Sequence, residues 1–408
     1  MNWEQVALSK VIRLTNGKSI SSDYSENRTN EYVYPVYGGN SILGYSRNYL
    51  IDYQTLVIGR VGEYCGNVNL VDGRIWVSDN ALYISEWLRR CDNTFLYYLL
   101  TYIDFNRYSD ATGQPKITQS LLKRIKPQIP QNREEQTAIA TILTKVDNVI
   151  QATNNSIKAA DKLKKALMQN LLTGKLKPDG TWRKEDEFYE DEKFGKVPKG
   201  WRVKAVKNVF HVNQESLPSK TNPEYEFNYI TIEAVSTEFI AYKGCPTYKF
   251  KEAPGRARRK INNGDILISG VRPNLKAFAI YNNPNNLDWI CSTGFYVLTA
   301  KEKENNQFYF YQILSEIGES QFHSYVAGTN YPAIGDSDIK KMKLLAPQYE
   351  EQCIIAESFQ KLSKEVNRKK SKIKSLQRLK ESLMQHLLTG KVRVDVEKVN
   401  EVLKAVDQ

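Results

Sequence analysis

The sequence has few cysteines and few histidines, and their spacing does not fit the common metal and disulfide patterns. Five cysteines and three histidines occur among 408 residues. The cysteines are odd in number, widely separated and never spaced as C-x-x-C, and no histidine lies near a cysteine or another histidine at metal-ligand spacing. We therefore expect buried free thiols and no metal bound by this chain.

Long apolar runs are also missing. No stretch approaches the roughly 18 consecutive apolar residues that a membrane-spanning helix needs. The first five residues, Met-Asn-Trp-Glu-Gln, do not begin a basic segment followed by an apolar run, as a secretory signal would. The sequence therefore predicts a cytoplasmic protein.

Two nucleotide-using enzyme motifs are incomplete. An amino-methyltransferase needs Asn or Asp followed by two prolines and an aromatic residue, but the closest string, at 222–225, lacks the second proline. A phosphate-binding loop needs glycine five residues before its Gly-Lys-Ser, and Ile12 stands there before Gly17. We therefore expect this chain to be non-catalytic.

One string fits a catalytic pattern loosely. Pro178 and Asp179, followed by the Asp-Glu-Lys at 191–193, resemble the carboxylates and lysine of a metal-dependent nuclease. The segment around them is rich in Lys, Asp, Glu and Gly and has few apolar residues to form strands that would fix such ligands. We interpret 176–199 as a charged linker.

What the sequence does contain is a globular composition with excess positive charge. Hydrophobic residues make up 41% and aromatic residues 11% of the chain, which is enough for several cores. The 58 basic and 46 acidic residues give a net charge of +12. Such an excess favours a polyanionic partner, because each phosphate neutralised by Lys or Arg releases counterions.

An internal repeat organises the chain. The Glu-Glu-Gln at 134–136 recurs at 350–352, and the Leu-Met-Gln-Asn-Leu-Leu-Thr-Gly-Lys at 167–175 recurs at 383–391 with His for Asn, both at an offset of 216. A constant offset over this length is typical of a helix, because one inserted residue turns a helix face by about 100°. At the start of each half the offset is 198, so the second globular segment is 18 residues longer.

Both repeated segments carry the three-four spacing of apolar residues that predicts a helix with a coiled-coil seam. Each would begin after Pro130 or Pro347 and end at the glycine of Thr-Gly-Lys. About 38 residues would span roughly 57 Å, or at most about 17 base pairs of DNA. The predicted seam, which we expect to be the subunit scaffold, consists of Ile139, Leu143, Val146, Ile150 and Ile157 in the first helix and Ile355, Phe359, Leu362, Val366 and Ile373 in the second.

The second helix also has a strongly basic outer face between Lys361 and Arg378, with Glu365 as an acid within it. This face could contact phosphates, meet an acidic partner protein or remain solvated, and the sequence does not separate these interpretations.

The two globular segments combine short strands, such as Thr55–Gly59 and 265–270, with helices around 95–103 and 306–317. We predict an α+β fold in which two such domains are each followed by a long helix, the helices pairing as an antiparallel coiled coil with pseudo-two-fold internal symmetry. The predicted division is 1–132 (first domain), 133–175 (first helix), 176–199 (linker), 200–348 (second domain), 349–391 (second helix) and 392–408 (C-terminal tail).

Basic and amide side chains on glycine-rich stretches of both domains suit DNA, because Arg matches guanine edges, Asn matches adenine and Lys neutralises phosphate. Turn glycines beside solvated charges are the alternative interpretation. The candidate DNA-binding residues are Asn40, Tyr45, Arg47, Arg60, Gln114 and Lys116 in the first domain and Arg256, Arg258, Arg259, Arg272, Asn274, Lys276, Asn330 and Tyr331 in the second.

The whole chain resembles the specificity subunits of type I restriction-modification enzymes. The resemblance rests on the repeated segments 130–136 and 167–175 with their second copies, on the Val-Pro-Lys-Gly-Trp at 197–201 and on the Ser-Thr-Gly-Phe-Tyr-Val at 292–297. It implies two target-recognition domains, each reading one half of a split, asymmetric DNA site, with a spacer set by helix length.

The resemblance also implies partners. These are double-stranded DNA, two methyltransferase subunits and ATP-dependent restriction subunits that translocate DNA, with S-adenosylmethionine, ATP and Mg²⁺ acting on those subunits and not on this chain. A specificity subunit of a related modification-linked endonuclease, or a coiled-coil interaction protein that does not bind DNA, remain alternatives.

Overall fold

The computed structural model describes residues 3–20, 24–108, 116–285, 287–325 and 333–406. It divides into two compact units, one formed by Met1–Ser156 with Lys369–Gln408 and the other by Ile157–Arg368. Two long helices each contribute one part to the first unit and one part to the second.

The elements of the first half begin with the strands β1 (Trp3–Gln5), β2 (Ile12–Asn16), β3 (Tyr24–Ser25), β4 (Tyr34–Tyr37), β5 (Ile42–Ser46), β6 (Thr55–Gly59), β7 (Val68–Val71), β8 (Trp76–Val77), β9 (Ala81–Trp87) and β10 (Gln128–Pro130). The helices are α1 (Asn93–Ile103), α2 (Gln119–Arg124) and α3 (Arg133–Leu171).

The second half contains the strands β11 (Phe188–Asp191), β12 (Gly195–Pro198), β13 (Arg202–Ala205), β14 (Phe210–Val212), β15 (Glu226–Ile230), β16 (Val235–Ser236), β17 (Phe239–Ile240), β18 (Thr247–Lys249), β19 (Ala257–Lys260), β20 (Ile266–Ser269), β21 (Phe278–Ile280), β22 (Trp289–Ser292), β23 (Phe295–Ala300) and β24 (Lys343–Ala346). Its helices are α4 (Val206–Val209), α5 (Asn306–Leu314), α6 (Glu316–Tyr325), α7 (Asp336–Lys341), α8 (Tyr349–Leu387) and α9 (Val396–Val406).

Each unit contains a four-stranded antiparallel sheet of the same topology. The strand order is β2-β9-β6-β7 in the first unit and β14-β23-β20-β21 in the second. The central strand β6 is buried along its whole length, as is β20, which explains why both read as continuous apolar runs. The strands predicted at 55–59 and 265–270 are confirmed.

The second sheet differs between the units. In the first unit the order is β3-β5-β4-β8, and in the second it is β18-β15-β22-β19. Each contains one parallel pair, β4 with β8 or β15 with β22. The second unit adds β19 beside β22, and this strand carries Arg258 and Arg259.

The helices predicted in the globular segments are present with one correction. Asp92 caps α1 by accepting a hydrogen bond from the Phe95 amide at 2.8 Å, and Asn305 caps α5 in the same way through the Phe308 amide. The single helix expected over 306–317 is wrong, because α5 ends at Leu314 and α6 begins at Glu316. The Ser315 hydroxyl donates to the Gln312 carbonyl at 2.7 Å, a local bond that competes with a continuous helix.

The two long helices are each 39 residues, about 58 Å at 1.5 Å per residue. Both begin after the predicted prolines, and Gly174 and Gly390 follow their ends with φ values of 69° and 70°. These are the left-handed closing residues that the sequence predicted. All ten seam residues named above are buried or half-buried.

Parts of the two helices run side by side in opposite directions within each unit. In the first unit Lys380 Nζ lies 2.6 Å from Asp147 Oδ1 and Lys369 Nζ lies 2.7 Å from Ser156 Oγ, so residue numbers rise along α3 as they fall along α8. In the second unit Lys164 Nζ donates to Ser363 Oγ at 2.9 Å. That the two long helices supercoil around each other as a coiled coil remains a prediction.

Lys164 and Lys380 are repeat equivalents, as are Asp147 and Ser363, at the offset of 216. Lys380 Nζ also lies 5.4 Å from the Tyr98 ring centroid, and Lys164 Nζ lies 5.3 Å from that of Tyr311. The lysine that interrupts the apolar seam at 380 therefore has a carboxylate and an aromatic face as partners. A polar pair of this kind favours one helix register, because a shifted register would leave a charge unpaired.

The segment 176–199 is ordered, which corrects its interpretation as a linker without strands. Strands β11 and β12 form an antiparallel hairpin, in which Val197 and Pro198 are buried and Val197 belongs to the core of the second unit. The few apolar residues of this segment were enough for one hairpin because the larger core nearby supplies the other half of the contact. The predicted C-terminal tail likewise contains a helix, α9.

Candidate nucleic-acid interface

In the first unit, a hairpin loop of residues 60–67 joins β6 to β7. Val61 pairs with Lys116 in an isolated antiparallel bridge, and the Ile117 amide donates to the Arg60 carbonyl at 2.9 Å. Two candidate DNA-binding residues far apart in sequence, Arg60 and Lys116, are thereby brought together. Arg60 is half-buried and Lys116 is exposed.

The glycine-rich turn after β4 meets the same loop. A Cβ on Gly59 would lie 2.5 Å from the Gly39 carbonyl oxygen, so only glycine permits this approach. Beside it the exposed Asn40 accepts a hydrogen bond from Asn67 Nδ2 at 2.8 Å. Asn40 therefore belongs to the surface formed by Arg60 and Lys116.

Tyr45 and Arg47 lie at the opposite end of β5 from this turn. Arg47 forms an ion pair with Glu31 at 2.6 Å, and its guanidinium carbon lies 4.7 Å from the centroid of the Tyr32 ring. Tyr45 is half-buried within the strand. The structure thus does not bring these two candidates to the loop at 60–67.

The loop at 270–277 of the second unit occupies the equivalent position between β20 and β21. The Ile334 amide donates to the Gly270 carbonyl at 3.0 Å, and the Gly270 amide donates to the Gly294 carbonyl at 2.9 Å. The Thr293 amide in turn donates to the Arg256 carbonyl at 2.8 Å. Arg256, Arg272 and Asn274 are exposed around this junction.

Three further candidates have structural partners. The Arg258 guanidinium carbon lies 4.5 Å from the Phe250 ring centroid, and its Nη1 donates to the Ala257 carbonyl. Arg259 Nη1 donates to Ser216 Oγ at 3.3 Å. Lys276 Nζ lies 3.0 Å from Glu319 Oε2. Side-chain type alone did not distinguish these anchoring residues from exposed ones.

Gln114, Asn330 and Tyr331 lie outside the described residues. Sequence reasoning also missed two exposed residues of the loops, Tyr64 at 46% and Leu275 at 64% exposure. Both residues could have been picked out from the sequence, because each lies between glycine or basic residues in a short stretch that joins two apolar strands.

The repeated Glu-Glu-Gln motifs have a structural explanation. Gln136 accepts a hydrogen bond from the Asp92 amide and donates one to the Pro130 carbonyl, both at 2.8 Å. Gln352 makes the same two bonds, from the Asn305 amide and to the Pro347 carbonyl. Each glutamine thus ties the start of a long helix to the cap of the helix in its own globular domain.

The preceding glutamate of each motif binds an arginine and a tryptophan. Glu135, fully buried, accepts two hydrogen bonds from Arg393 at 2.6 and 2.7 Å and one from Trp3 Nε1 at 3.3 Å. Burial alone would raise the pKa of Glu135, but the bonds from Arg393 and Trp3 outweigh it and lower the pKa. In the second unit Glu351 is held by Arg183 and Trp201.

The carboxylates of the nuclease-like string accept hydrogen bonds from backbone amides two residues further along the chain. Asp179 Oδ1 accepts from the Thr181 amide at 2.8 Å, and Asp191 Oδ1 accepts from the Lys193 amide at 2.9 Å. Within the described ranges, no group of three or more His, Cys, Asp or Glu side chains is placed to hold a metal ion. In the same part of the chain, no helix is both long and apolar enough to cross a membrane.

The family of type I restriction modification DNA specificity domains matches residues 1–160 and 198–378. The chain belongs to this family. Among its relatives, the specificity subunit of the type I restriction enzyme MjaVIII of Methanocaldococcus jannaschii is 22% identical, over 96% of this chain and 93% of that protein. The specificity subunit of the EcoprrI enzyme of Escherichia coli is 30% identical over 40% of this chain and 39% of that one.

Among solved structures, the S subunit of a type I restriction-modification system from M. genitalium has the same fold. The TM-score is 0.62 at 16% identity, over 95% of this chain and 96% of that one. The resemblance inferred from the sequence repeats, to type I specificity subunits, is therefore confirmed.

Proposed function

We propose that this chain reads a bipartite, asymmetric DNA site, each globular domain recognising one half, and that it performs no catalysis itself. The observation that carries this proposal is that one four-stranded sheet of the same strand order occurs in both units and presents different side chains on equivalent loops, 60–67 and 270–277. Corresponding sheets that expose different side chains on equivalent loops are suited to the recognition of two different half-sites. The basic net charge of +12 supports a DNA partner.

Chemistry would belong to partner subunits: two methyltransferase subunits that use S-adenosylmethionine, and restriction subunits that use ATP and Mg²⁺. Two exposed leucines support the proposal that the long helices are the scaffold for these subunits. They are Leu163 on α3 and Leu379 on α8, which are 52% and 48% exposed. They are repeat equivalents at the offset of 216. Two equivalent exposed leucines suit two copies of one partner.

Exchange of residues 1–132 for the corresponding domain of another member of the family is expected to change only one half of the methylated motif. The recombinant gene would be expressed with its methyltransferase subunits, and adenine methylation mapped by single-molecule sequencing of the host DNA. The unexchanged chain serves as the control and should give a split motif. An unsplit motif, or a change in both halves after the exchange, would contradict the proposal.

Replacing both Leu163 and Leu379 by Asp is expected to weaken binding of the methyltransferase subunit by at least about tenfold, because each charge would be desolvated at the contact. Binding would be measured by titrating the purified methyltransferase subunit and following complex formation by calorimetry. The matched control is Val149→Asp, since Val149 is also exposed on α3 but its repeat equivalent is already acidic, Glu365. Equal weakening by the control would argue against the paired leucines as anchors.

A further inference from the structure

Strand β19 is an addition to the second sheet of the second unit. The parallel pairs β4–β8 and β15–β22 correspond between the two units, but β8 lies at the edge of its sheet, whereas β22 has β19 on its outer side. The second globular segment is also the longer of the two, by 18 residues. Among the described residues of the first unit, no strand takes the place of β19.

The backbone of β19 is held on both sides. On one side the strand pairs with β22, with a shift in register that leaves Arg258 without a partner residue on β22. On the other side the Leu217 amide donates to the Arg258 carbonyl at 2.8 Å, and the Lys260 amide donates to the Glu215 carbonyl at 3.2 Å. Because these bonds satisfy the outer edge of the strand, its side chains are what it offers to a partner.

Three arginines within four residues at this strand form no ion pair in the described part of the chain. We call them the arginine cluster, which consists of Arg256, Arg258 and Arg259. The lysines around the cluster are paired with carboxylates, Lys249 and Lys251 with Glu224 and Lys260 with Glu215. The fold thus neutralises the lysine charges and leaves the arginine charges available to an anion, which would also relieve their mutual repulsion.

The environment of Arg259 is costly without a ligand. Its side chain is half-buried, and its Nε is buried with no hydrogen-bond acceptor among the described residues. Its Nη1 donates to Ser216 Oγ at 3.3 Å, which is a long bond to a neutral group. Partial burial of a guanidinium without a carboxylate or a full set of acceptors costs free energy. An anion bound from outside would offset this cost.

The other two arginines differ in how they are held. Arg258 is fixed, because its guanidinium carbon lies 4.5 Å from the Phe250 ring centroid and its Nη1 donates to a backbone carbonyl at 2.8 Å. Arg256 is exposed, and its guanidinium has no partner among the described residues. Arg258 therefore contributes charge to the cluster, whereas Arg256 and Arg259 also have N–H groups left for a ligand.

The arginine cluster lies beside the loop at 270–277. The Thr293 amide donates to the Arg256 carbonyl at 2.8 Å. The next residue, Gly294, accepts a hydrogen bond from the Gly270 amide at 2.9 Å. Arg256 is thereby tied to the first residue of the loop that we propose to read the second half-site.

We propose that Arg256 and Arg259 bind the phosphate backbone of DNA beside the second half-site, and that β19 positions them for affinity rather than for reading the sequence. The proposal rests on the proposed function, since it assumes that the second unit contacts DNA. A phosphate is the fitting ligand because it carries a full negative charge, whereas a base edge would leave the half-buried guanidinium without a counter-charge. Phosphate oxygens also match the forked N–H groups of arginine.

The test compares Arg259→Met, Arg256→Met and Lys249→Met in the full chain, assembled with its methyltransferase subunits. Each variant loses one positive charge and keeps a flexible apolar stem. Lys249 is the matched control, because it lies on β18 at the opposite edge of the same sheet and is already paired with Glu224 at 2.8 Å. Fluorescence anisotropy over a range of salt concentrations would measure binding to a labelled duplex carrying the methylation motif and to an unrelated duplex.

We expect Arg259→Met and Arg256→Met each to weaken binding to both duplexes by at least about fivefold, and to lower the slope of log affinity against log salt by about 0.9. The methylation motif should stay unchanged, because phosphate contacts carry no sequence information. Lys249→Met should change the affinity by less than about twofold. The melting temperature of Arg259→Met should stay within about 3 °C of that of the unaltered chain, since the variant loses a single long bond to Ser216.

Several outcomes would overturn the proposal. A lower melting temperature of Arg259→Met with unchanged DNA affinity would mean that this arginine serves stability, and equal effects of all three variants would mean that only net charge matters. A motif relaxed at one position would indicate a base contact. Weaker binding of the methyltransferase subunits at unchanged DNA affinity would indicate an acidic surface of a partner protein. If Arg259→Met does not fold, Arg256→Met decides, because it has no side-chain bond to lose.

These outcomes leave the proposed function intact, provided that the unaltered chain binds the duplex carrying its motif. Failure of the unaltered chain to bind this duplex in its complex with the methyltransferase subunits would instead contradict the proposed function itself.

Discussion

Insertion of one heptad into both long helices is expected to move the two half-sites apart by about three base pairs and to leave each half-site unchanged. Seven residues add about 10.5 Å of helix, and base pairs are spaced about 3.4 Å apart. The insertions would follow Ser156 and Arg368, the residues at which α3 and α8 pass from one compact unit to the other along the chain. Contacts within each unit, such as Lys380 with Asp147, would be retained.

A heptad is chosen because it keeps the apolar seam nearly in phase, turning it by only about 20°. The matched control inserts five residues at the same places, which turns the seam by roughly 140° and should abolish methylation. Both would be assayed by mapping methylated adenines in DNA from cells that express the variant with its methyltransferase subunits. Methylation of the original motif by the heptad variant would mean that helix length does not set the spacer.

The long helices were predictable because their signal is local and repeated. The seam spacing, the prolines before Arg133 and Tyr349, and the glycines at 174 and 390 all act within a few residues of the element they define. The constant offset of 216 then gave their equal length. Such a pattern can be recognised in the sequence because each of these residues acts on its own helix and does not depend on distant parts of the chain.

Contacts between distant segments were not predictable in the same way. Glu135 could be expected near a helix N-terminus, but its pairing with Arg393 joins residues 258 apart. The hairpin at 188–198 was missed because its stability depends on a core formed by other segments. Propensity within a short window does not contain that information.

The candidate DNA-binding residues were predicted only in part, because the sequence does not show which distant segments each side chain contacts. Arg60, Lys116, Arg256 and Arg272 lie at equivalent junctions of the two units, but Arg258 and Lys276 are engaged by Phe250 and Glu319. An arginine that stacks on a ring and one that projects into solvent look alike in sequence. The equivalence of the loops became visible only through strand register, because their sequences share little beyond Val61 and Val271.

Arg393→Ala is expected to destabilise the first unit by about 2–3 kcal/mol, because it leaves the fully buried Glu135 carboxylate without its cation. The cost is below that of a fully buried pair, since the Arg393 side chain is 43% exposed and solvent already screens part of the interaction. The melting temperature of the unit should fall by about 5–10 °C. Differential scanning calorimetry would measure this.

The stability that is lost in Arg393→Ala should become smaller as the pH falls. Because the pKa of Glu135 is lowered in the folded protein, its pairing contributes stability above its unfolded value of 4.5 and loses that contribution as pH falls through the lower folded pKa. The difference between wild type and Arg393→Ala should therefore be full at pH 7 and shrink below about pH 4.5.

The double variant Glu135→Gln with Arg393→Ala should be more stable than Arg393→Ala alone at pH 7, because the amide can be buried without a charge. Arg107→Ala is the surface control, since Arg107 pairs with Asp104 while 75% exposed and should contribute little. If Arg393→Ala melts like wild type, or if the double variant is the less stable of the two, Glu135 is not held by charge. The repeated Glu-Glu-Gln motif would then act through its glutamine alone, which ties each long helix to its globular domain whatever the charge state of its neighbour.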